Sequence, residues 1–103
     1  MAARRVVRSA VFDLHFCWAK PGTKPRLGLI VPKRLARAAS LRNAIKRQGR
    51  EAFRLVAVGF PPCDLVLRLK SPVKGVRARD GTQKKQWRTE FENLFRRLPA
   101  DVK

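Results

Sequence analysis

The sequence predicts an α+β domain, a small sheet with helices packed on it, and three observations carry that prediction. Residues 11 to 18 alternate in polarity with period two; two further apolar runs, at 26 to 31 and 64 to 70, are bounded by turn residues; two longer stretches repeat apolar residues at helical spacing. In chain order these give strand, strand, helix, strand, helix. With 103 residues and 45% hydrophobic content, one compact domain with a modest core is expected.

In the first strand Phe12, Leu14, Phe16 and Trp18 point one way, and Val11, Asp13, His15 and Cys17 the other, so one face is strongly apolar. The loop from Lys20 to Pro25 holds two prolines and a glycine, which break helix and strand alike. Arg26 to Val31 is the second strand; beyond Pro32, Lys33-Arg34 and a Leu/Ala/Arg stretch form a connection. Ser40 is the expected N-cap of a helix from Leu41 to about Val58, ended by Gly59 and the Pro61-Pro62 pair. On a helical wheel Leu41, Ala44, Ile45, Ala52, Leu55 and Val56 share one face, while Asn43, Lys46, Arg47, Arg50 and Arg54 gather on the other. Gly49, near the boundary, weakens the helix by roughly 1 kcal/mol relative to Ala but leaves room for another backbone or a phosphate to approach.

The third strand is Leu65 to Leu69 within Asp64 to Lys70, closed by Ser71-Pro72. A basic, glycine-containing loop follows from Val73 to Lys85. The last helix, about Thr82 to Leu98, sets Trp87, Phe91, Leu94, Phe95 and Leu98 at helical spacing as a packing stripe and stops at Pro99. There is no internal repeat and no low-complexity segment.

Charge narrows the function. Against 25 Lys plus Arg stand 7 Asp plus Glu, a formal net charge of +18, which repels itself unless a polyanion neutralises it; nucleic acid is the natural partner. No segment approaches the roughly 20 apolar residues of a membrane span, and the start, MAARRVVRSAVFD, lacks a signal-peptide core. A cytoplasmic protein that does not engage membranes is expected. Cys17 and Cys63 sit apart in or beside apolar segments and with the single His15 cannot assemble a zinc ligand set, so both are expected to be reduced thiols in the core or at its edge.

No catalytic residues are expected. The chain has no glycine-rich phosphate loop, no Ser/His/Asp constellation and no paired carboxylate cluster for metal-assisted hydrolysis, so neither a metal site nor a cofactor bound by the protein alone is expected. His15 cannot serve as acid and base together, and Asp13 reads as its solvated or hydrogen-bonded neighbour. What remains is charge with a shape. Arg42, Lys46, Arg47, Arg50 and Arg54 lie along about 18 Å of helix, and the planar fork of arginine matches phosphate oxygens in pairs. Glu51 alone offers local neutralisation, and Lys33, Arg34 and Arg37 extend the excess.

The segment GLIVPKRLARAASLRNAIKRQGREAFR, Gly28 to Arg54, resembles the signature of the ribonuclease P protein component. In that family a strand ending in two basic residues leads into a helix bearing Arg-Asn-Arg, then Lys-Arg and Arg-Glu-x-Phe-Arg. Phe12 to His15 resembles the family's preceding strand, Asp64 to Leu67 its last strand, and Phe91 to Leu98 its closing helix. The resemblance implies an α+β fold like the second domain of a ribosomal small-subunit protein, with a left-handed βαβ crossover. It also implies two partners, the catalytic RNA of ribonuclease P and precursor tRNA, with no stable protein partner. The RNA would remove the 5′ leader with magnesium ions, and the protein would aid substrate binding. Carried over position by position, Arg42, Asn43, Lys46, Arg47 and Arg50 would contact the catalytic RNA, flanked by Lys33, Arg34, Arg37 and Arg54. The sheet face bearing Val11, Asp13 and His15 would hold the leader, His15 standing where the family often has a tyrosine.

Two departures from the family pattern stand out. The third motif position, usually Arg, is Ala44, so one interaction with phosphate is missing or is supplied by Arg37 or Arg47. About ten residues precede the first strand, too few for the family's short aromatic N-terminal helix, so the leader cleft is shallower or another element replaces that helix. The chief rival reading is a ribosomal or other structural RNA-binding protein with no role in cleavage. A DNA-binding protein is disfavoured by the absence of a helix-turn-helix pairing, and a membrane-surface role by the need for the helix's apolar face in the core.

Overall fold

The computed structural model describes residues 5–20, 22–60, 62–73, 75 and 79–98. Its elements are β1 (Arg5–Arg8), β2 (Phe12–Trp18), β3 (Arg26–Ile30), α1 (Ala39–Val56), a 3-10 turn (Ala57–Gly59), β4 (Cys63–Leu69) and α2 (Gly81–Arg96). The sheet runs in the order β1-β2-β4-β3. β2 is antiparallel to both β1 and β4, whereas β3 and β4 are parallel neighbours joined through α1. The α+β class and the order of the later elements match the sequence reading.

Pairing register sorts the side chains. Phe12, Leu14, Phe16 and Trp18 of β2 stand opposite Leu69, Leu67, Leu65 and Cys63 of β4, and Leu27 and Leu29 of β3 join the same rows. This inner face is covered by both helices: Phe91 of α2 meets Phe12 edge-on at 4.6 Å between ring centroids. A Cβ built on Gly49 of α1 would lie 2.8 Å from Leu29 and 3.3 Å from Leu67. Phe53 and Phe60 pack with Phe95 where the helices converge. The aromatic stripe of α2 is buried as expected, with Trp87, Phe91, Leu94 and Phe95 all in the core. No helix among the described residues is long and apolar enough to cross a membrane.

Several local expectations need correction. A fourth strand, β1, precedes the first one the sequence suggested; Ser9 closes its hairpin, its hydroxyl accepting from the Phe12 N–H at 3.0 Å while its own N–H donates to the Phe12 carbonyl at 2.8 Å. Ser40 is not the N-cap. Helix α1 begins two residues earlier than expected, behind Ala38, which has extended backbone and no capping side chain. Gly49 faces the sheet rather than a phosphate, and Leu55, assigned to the buried face, is 58% exposed. The helix's buried line runs instead through Leu41, Ile45, Gln48, Gly49 and Ala52.

The loop before α2 is also shorter than expected. Asp80 caps the helix, its carboxylate accepting from the Gln83 N–H at 3.0 Å, so residues 81 to 85 are helical. The rest of that basic loop, at 74 and 76–78, and the expected stops at Pro61 and Pro99 lie outside the described residues. Neither cysteine is in a disulfide; Cys63 is fully buried and Cys17 partly so. Burial, with Asp64 beside it, pushes the Cys63 thiol above its ordinary range.

Candidate nucleic-acid interface

Because the inner line of α1 is committed to the sheet and to α2, its polar residues other than Gln48 are turned off that line. Asn43, Arg47, Arg50 and Arg54 are exposed and Lys46 is half-buried, as the helical wheel predicts. Arg54 is the one whose charge is locally matched: its guanidinium donates to both oxygens of Glu51, at 3.0 and 3.4 Å. That pairing holds the Glu51 carboxyl below the usual carboxylate range, with Arg88 and Arg47 adding to the pull. Among the described residues, Arg47 and Arg50 have no hydrogen-bond partner, so their donors are open to a ligand.

Arg42 behaves differently from the other motif residues. Its terminal nitrogen donates to the carbonyls of Ala36 and Arg37, at 3.0 and 2.7 Å, and the side chain is partly buried. It fastens the 32–38 connection to the first turn of α1. That connection carries Lys33, Arg34 and Arg37, all exposed, and is tied a second time where the Val73 N–H donates to the Leu35 carbonyl at 2.8 Å. Arg42 therefore positions three other cations as well as contributing its own charge.

Sequence reasoning missed the contribution of α2. A groove between the helices is lined by Ser40, Asn43, Ala44, Arg47, Gln48 and Arg50 from α1, with Arg79 and Lys84 facing them. Beside it Arg88 donates through Nε to the Gln48 side-chain oxygen at 3.0 Å. Ala44, the departure from the motif, thus lies in a groove that already holds cations from two elements. The sequence signals were the basic run from Val73 to Lys85, read as a loop, and the i, i+4 spacing of Lys84 and Arg88, which in isolation describes an ordinary solvated face.

The second expected site lies on the face of the sheet turned away from the helices. His15 sits there opposite Val66, which in turn neighbours Gly28, while Asp13 stands opposite Arg68. The Nδ1 atom of His15 is buried and has no hydrogen-bond partner among the described residues. Asp13 is paired with Lys70 at 2.8 Å and not with His15, the neighbour for which the sequence suggested it. Val11 is not brought to this face: it lies in the bend before β2 and packs against the core cluster, since the strand alternation begins only at Phe12. At the far end of the face Arg26 of β3 donates to both oxygens of Asp64, at 2.8 and 3.1 Å. This holds the Asp64 carboxyl below its usual range and raises Arg26. Among the described residues no group of three or more His, Cys, Asp or Glu could hold a metal ion.

Fold and surface together define a small α+β domain that presents a polycationic helix face beside an open sheet. The chain belongs to the Ribonuclease P family, whose model matches residues 1–99. It is similar to the ribonuclease P protein component of Azoarcus sp., 43% identical over 74 residues, covering 70% of this chain and 59% of that protein. A second relative, from Bordetella petrii, is 44% identical over 75 residues, covering 69% and 61%. The chain thus spans about three fifths of the length of these curated relatives. Among solved structures it resembles the Staphylococcus aureus RNase P protein, with TM-score 0.74 and 27% identity over 90% of this chain and 79% of that one. It also resembles the Thermotoga maritima RNase P protein in complex with 1-(4-fluorophenyl)-2-thiourea, with TM-score 0.69 and 25% identity over 93% and 87%.

Proposed function

We propose that this chain is the protein subunit of a cytoplasmic ribonuclease P, binding the enzyme's catalytic RNA and the 5′ leader of precursor tRNA, and assisting removal of that leader. The observation that carries the reading is the outward face of α1, where Asn43, Lys46, Arg47 and Arg50 stand together in a member of this family with their side-chain donors bonded to no carboxylate among the described residues. Guanidinium groups there would pair with phosphate oxygens of the folded RNA, and Lys33, Arg34 and Arg37 would extend the contact from the connection that Arg42 holds. Each phosphate neutralised releases condensed counterions, which is the main source of affinity for a highly charged backbone.

The leader, as a single strand, would cross the open sheet face. His15 can stack on a base or donate to one, an interaction worth about 1 to 3 kcal/mol in single-strand recognition. Asp13, tied to Lys70, would shape the floor beside it, and exposed Arg68 would offer charge to the leader's phosphates. In this reading the hydrolysis belongs to the RNA, with magnesium ions supplying charge neutralisation at the scissile phosphate. The protein's share in this reading is to hold two polyanions together and lower their repulsion.

The test is leader removal from precursor tRNA by the protein alone, the catalytic RNA alone, and both together, across a magnesium titration. The protein alone should cleave nothing, and the mixture should reach full activity at lower magnesium than the RNA by itself. Metal-dependent cleavage by protein freed of RNA, or an unchanged magnesium requirement in the mixture, would overturn the proposal.

A further inference from the structure

Gln48 is the one polar residue in the buried set of the described residues, at 8% exposure. A primary amide closed off from water costs free energy unless it is hydrogen-bonded, and here Arg88 of α2 supplies the bond through Nε. The arrangement constrains both partners. Arg88 is half-buried with its guanidinium fixed at one nitrogen, and among the described residues its two terminal nitrogens have no protein acceptor. Arg79, just ahead of the Asp80 N-cap of α2, and Lys84 in the helix's first turn form the α2-side wall of the interhelical groove, facing Asn43, Arg47 and Arg50 on the α1 wall. Among the described residues no carboxylate lines this groove, and both oxygens of nearby Glu51 are engaged by Arg54.

We propose that α2 forms a second wall of the RNA site: Arg79, Lys84 and the Gln48-anchored Arg88 bind backbone phosphates together with Arg47 and Arg50, so that the RNA crosses from one helix to the other instead of following α1 alone. The proposal rests on the reading of α1 as the face that binds the catalytic RNA, and adds a partner surface to it. Cations on two facing walls can meet the two sides of one backbone, which a single helix face cannot do. Gln48 acts as a positioning residue. Without its acceptor, Arg88 would keep its charge but not its fixed direction, and the rotamer freedom regained would have to be given up again on binding.

The experiment compares binding of the full chain to its ribonuclease P RNA as a function of salt for four variants with the parent. They are Arg79→Ala/Lys84→Ala on the α2 wall, Lys85→Ala/Arg96→Ala as a control with equal charge removed elsewhere on α2, Arg47→Ala/Arg50→Ala on the α1 wall, and Gln48→Leu. The α2-wall variant should make the logarithmic salt slope shallower by roughly 0.7 to 0.9 for each phosphate no longer neutralised, while the control keeps the parent slope. Gln48→Leu should weaken binding several-fold at fixed salt with little change in slope, since no charge is removed. An α2-wall slope equal to that of the control, with the α1-wall variant clearly shallower, would overturn this inference alone. If the α1-wall variant also keeps the parent slope, the reading of α1 itself fails. Thermal melts of each variant separate weakened binding from unfolding, and the α2-wall pair, exposed or half-exposed on the surface, tests the groove even if Gln48→Leu unfolds the chain.

Discussion

Arg42 shows how one side chain can be read correctly for charge and wrongly for role. Its place on the helical wheel puts it off the apolar stripe, yet its guanidinium turns back to the carbonyls of Ala36 and Arg37. Hydrogen bonds from a charged donor are worth about 1.5 to 3 kcal/mol when both groups are sheltered; with Arg42 only partly buried, Arg42→Ala should cost about 1 to 2 kcal/mol in urea unfolding. Arg47→Ala, with no protein hydrogen-bond partner among the described residues, should leave the midpoint unchanged while weakening RNA binding. At His15 the expectation is substrate-specific: His15→Ala in the assembled enzyme should weaken binding of precursor tRNA with a leader of several nucleotides, with mature tRNA bound as before. Equal affinity of variant and parent for the long-leader substrate would remove His15 from the site. Asp64 gives a pH signature. Its carboxyl is held below the ordinary range by Arg26, so the pair contributes above that range, and its contribution disappears as pH falls through the lowered value. Asp64→Asn should therefore flatten the acid side of the stability profile. The effect is small, because the Arg26 side chain is largely exposed and that of Asp64 about half so.

At the scale of the elements, what was legible in the sequence is what repeats. Alternation revealed β2, an apolar run bounded by turn residues revealed β4, and the apolar stripe revealed α2, because these signals are local and reinforced several times. β1 was not legible. Four residues, Arg-Val-Val-Arg, carry no period, and the strand exists because β2 offers an edge and Ser9 closes the turn. The interhelical groove was equally hidden, since the Gln48–Arg88 bond joins residues forty positions apart and nothing near either residue announces the other. The wheel misplaced Leu55 because α1 leans its last turns on Phe53 and Val56, which pack against the core cluster, leaving Leu55 turned to solvent. Gly49 gives an element-scale prediction. Ala there would gain roughly 1 kcal/mol in helix propensity, offset by pushing aside the end of Leu29, whose side chain is only partly buried and can give way. Gly49→Ala should thus be close to neutral, and Gly49→Leu, which must also displace buried Leu67, should destabilise by about 2 kcal/mol or more. Chemical denaturation of both variants checks the pair.

Across the whole molecule, the fold separates two tasks. The inner face of the sheet and the two helices bury the apolar residues, while cations are left on the outside of α1, on the groove wall of α2 and on the 32–38 connection. A net charge of +18 on so small a domain opposes compaction unless a polyanion is bound, so the cognate RNA should raise the thermal midpoint of the protein, and added salt should remove that gain. The charge, the motif on α1 and the class of fold were all legible in the sequence; where the second basic wall stands was not, because it depends on how the helices pack. The most direct test of the central claim is the salt dependence of binding to the ribonuclease P RNA by the parent and by the Lys46→Ala/Arg47→Ala/Arg50→Ala variant. If the α1 face carries the interaction, the variant remains folded and its logarithmic slope is shallower by about 2 to 3. A variant with the parent's affinity and slope would mean that this face is merely solvated and that the RNA is held elsewhere.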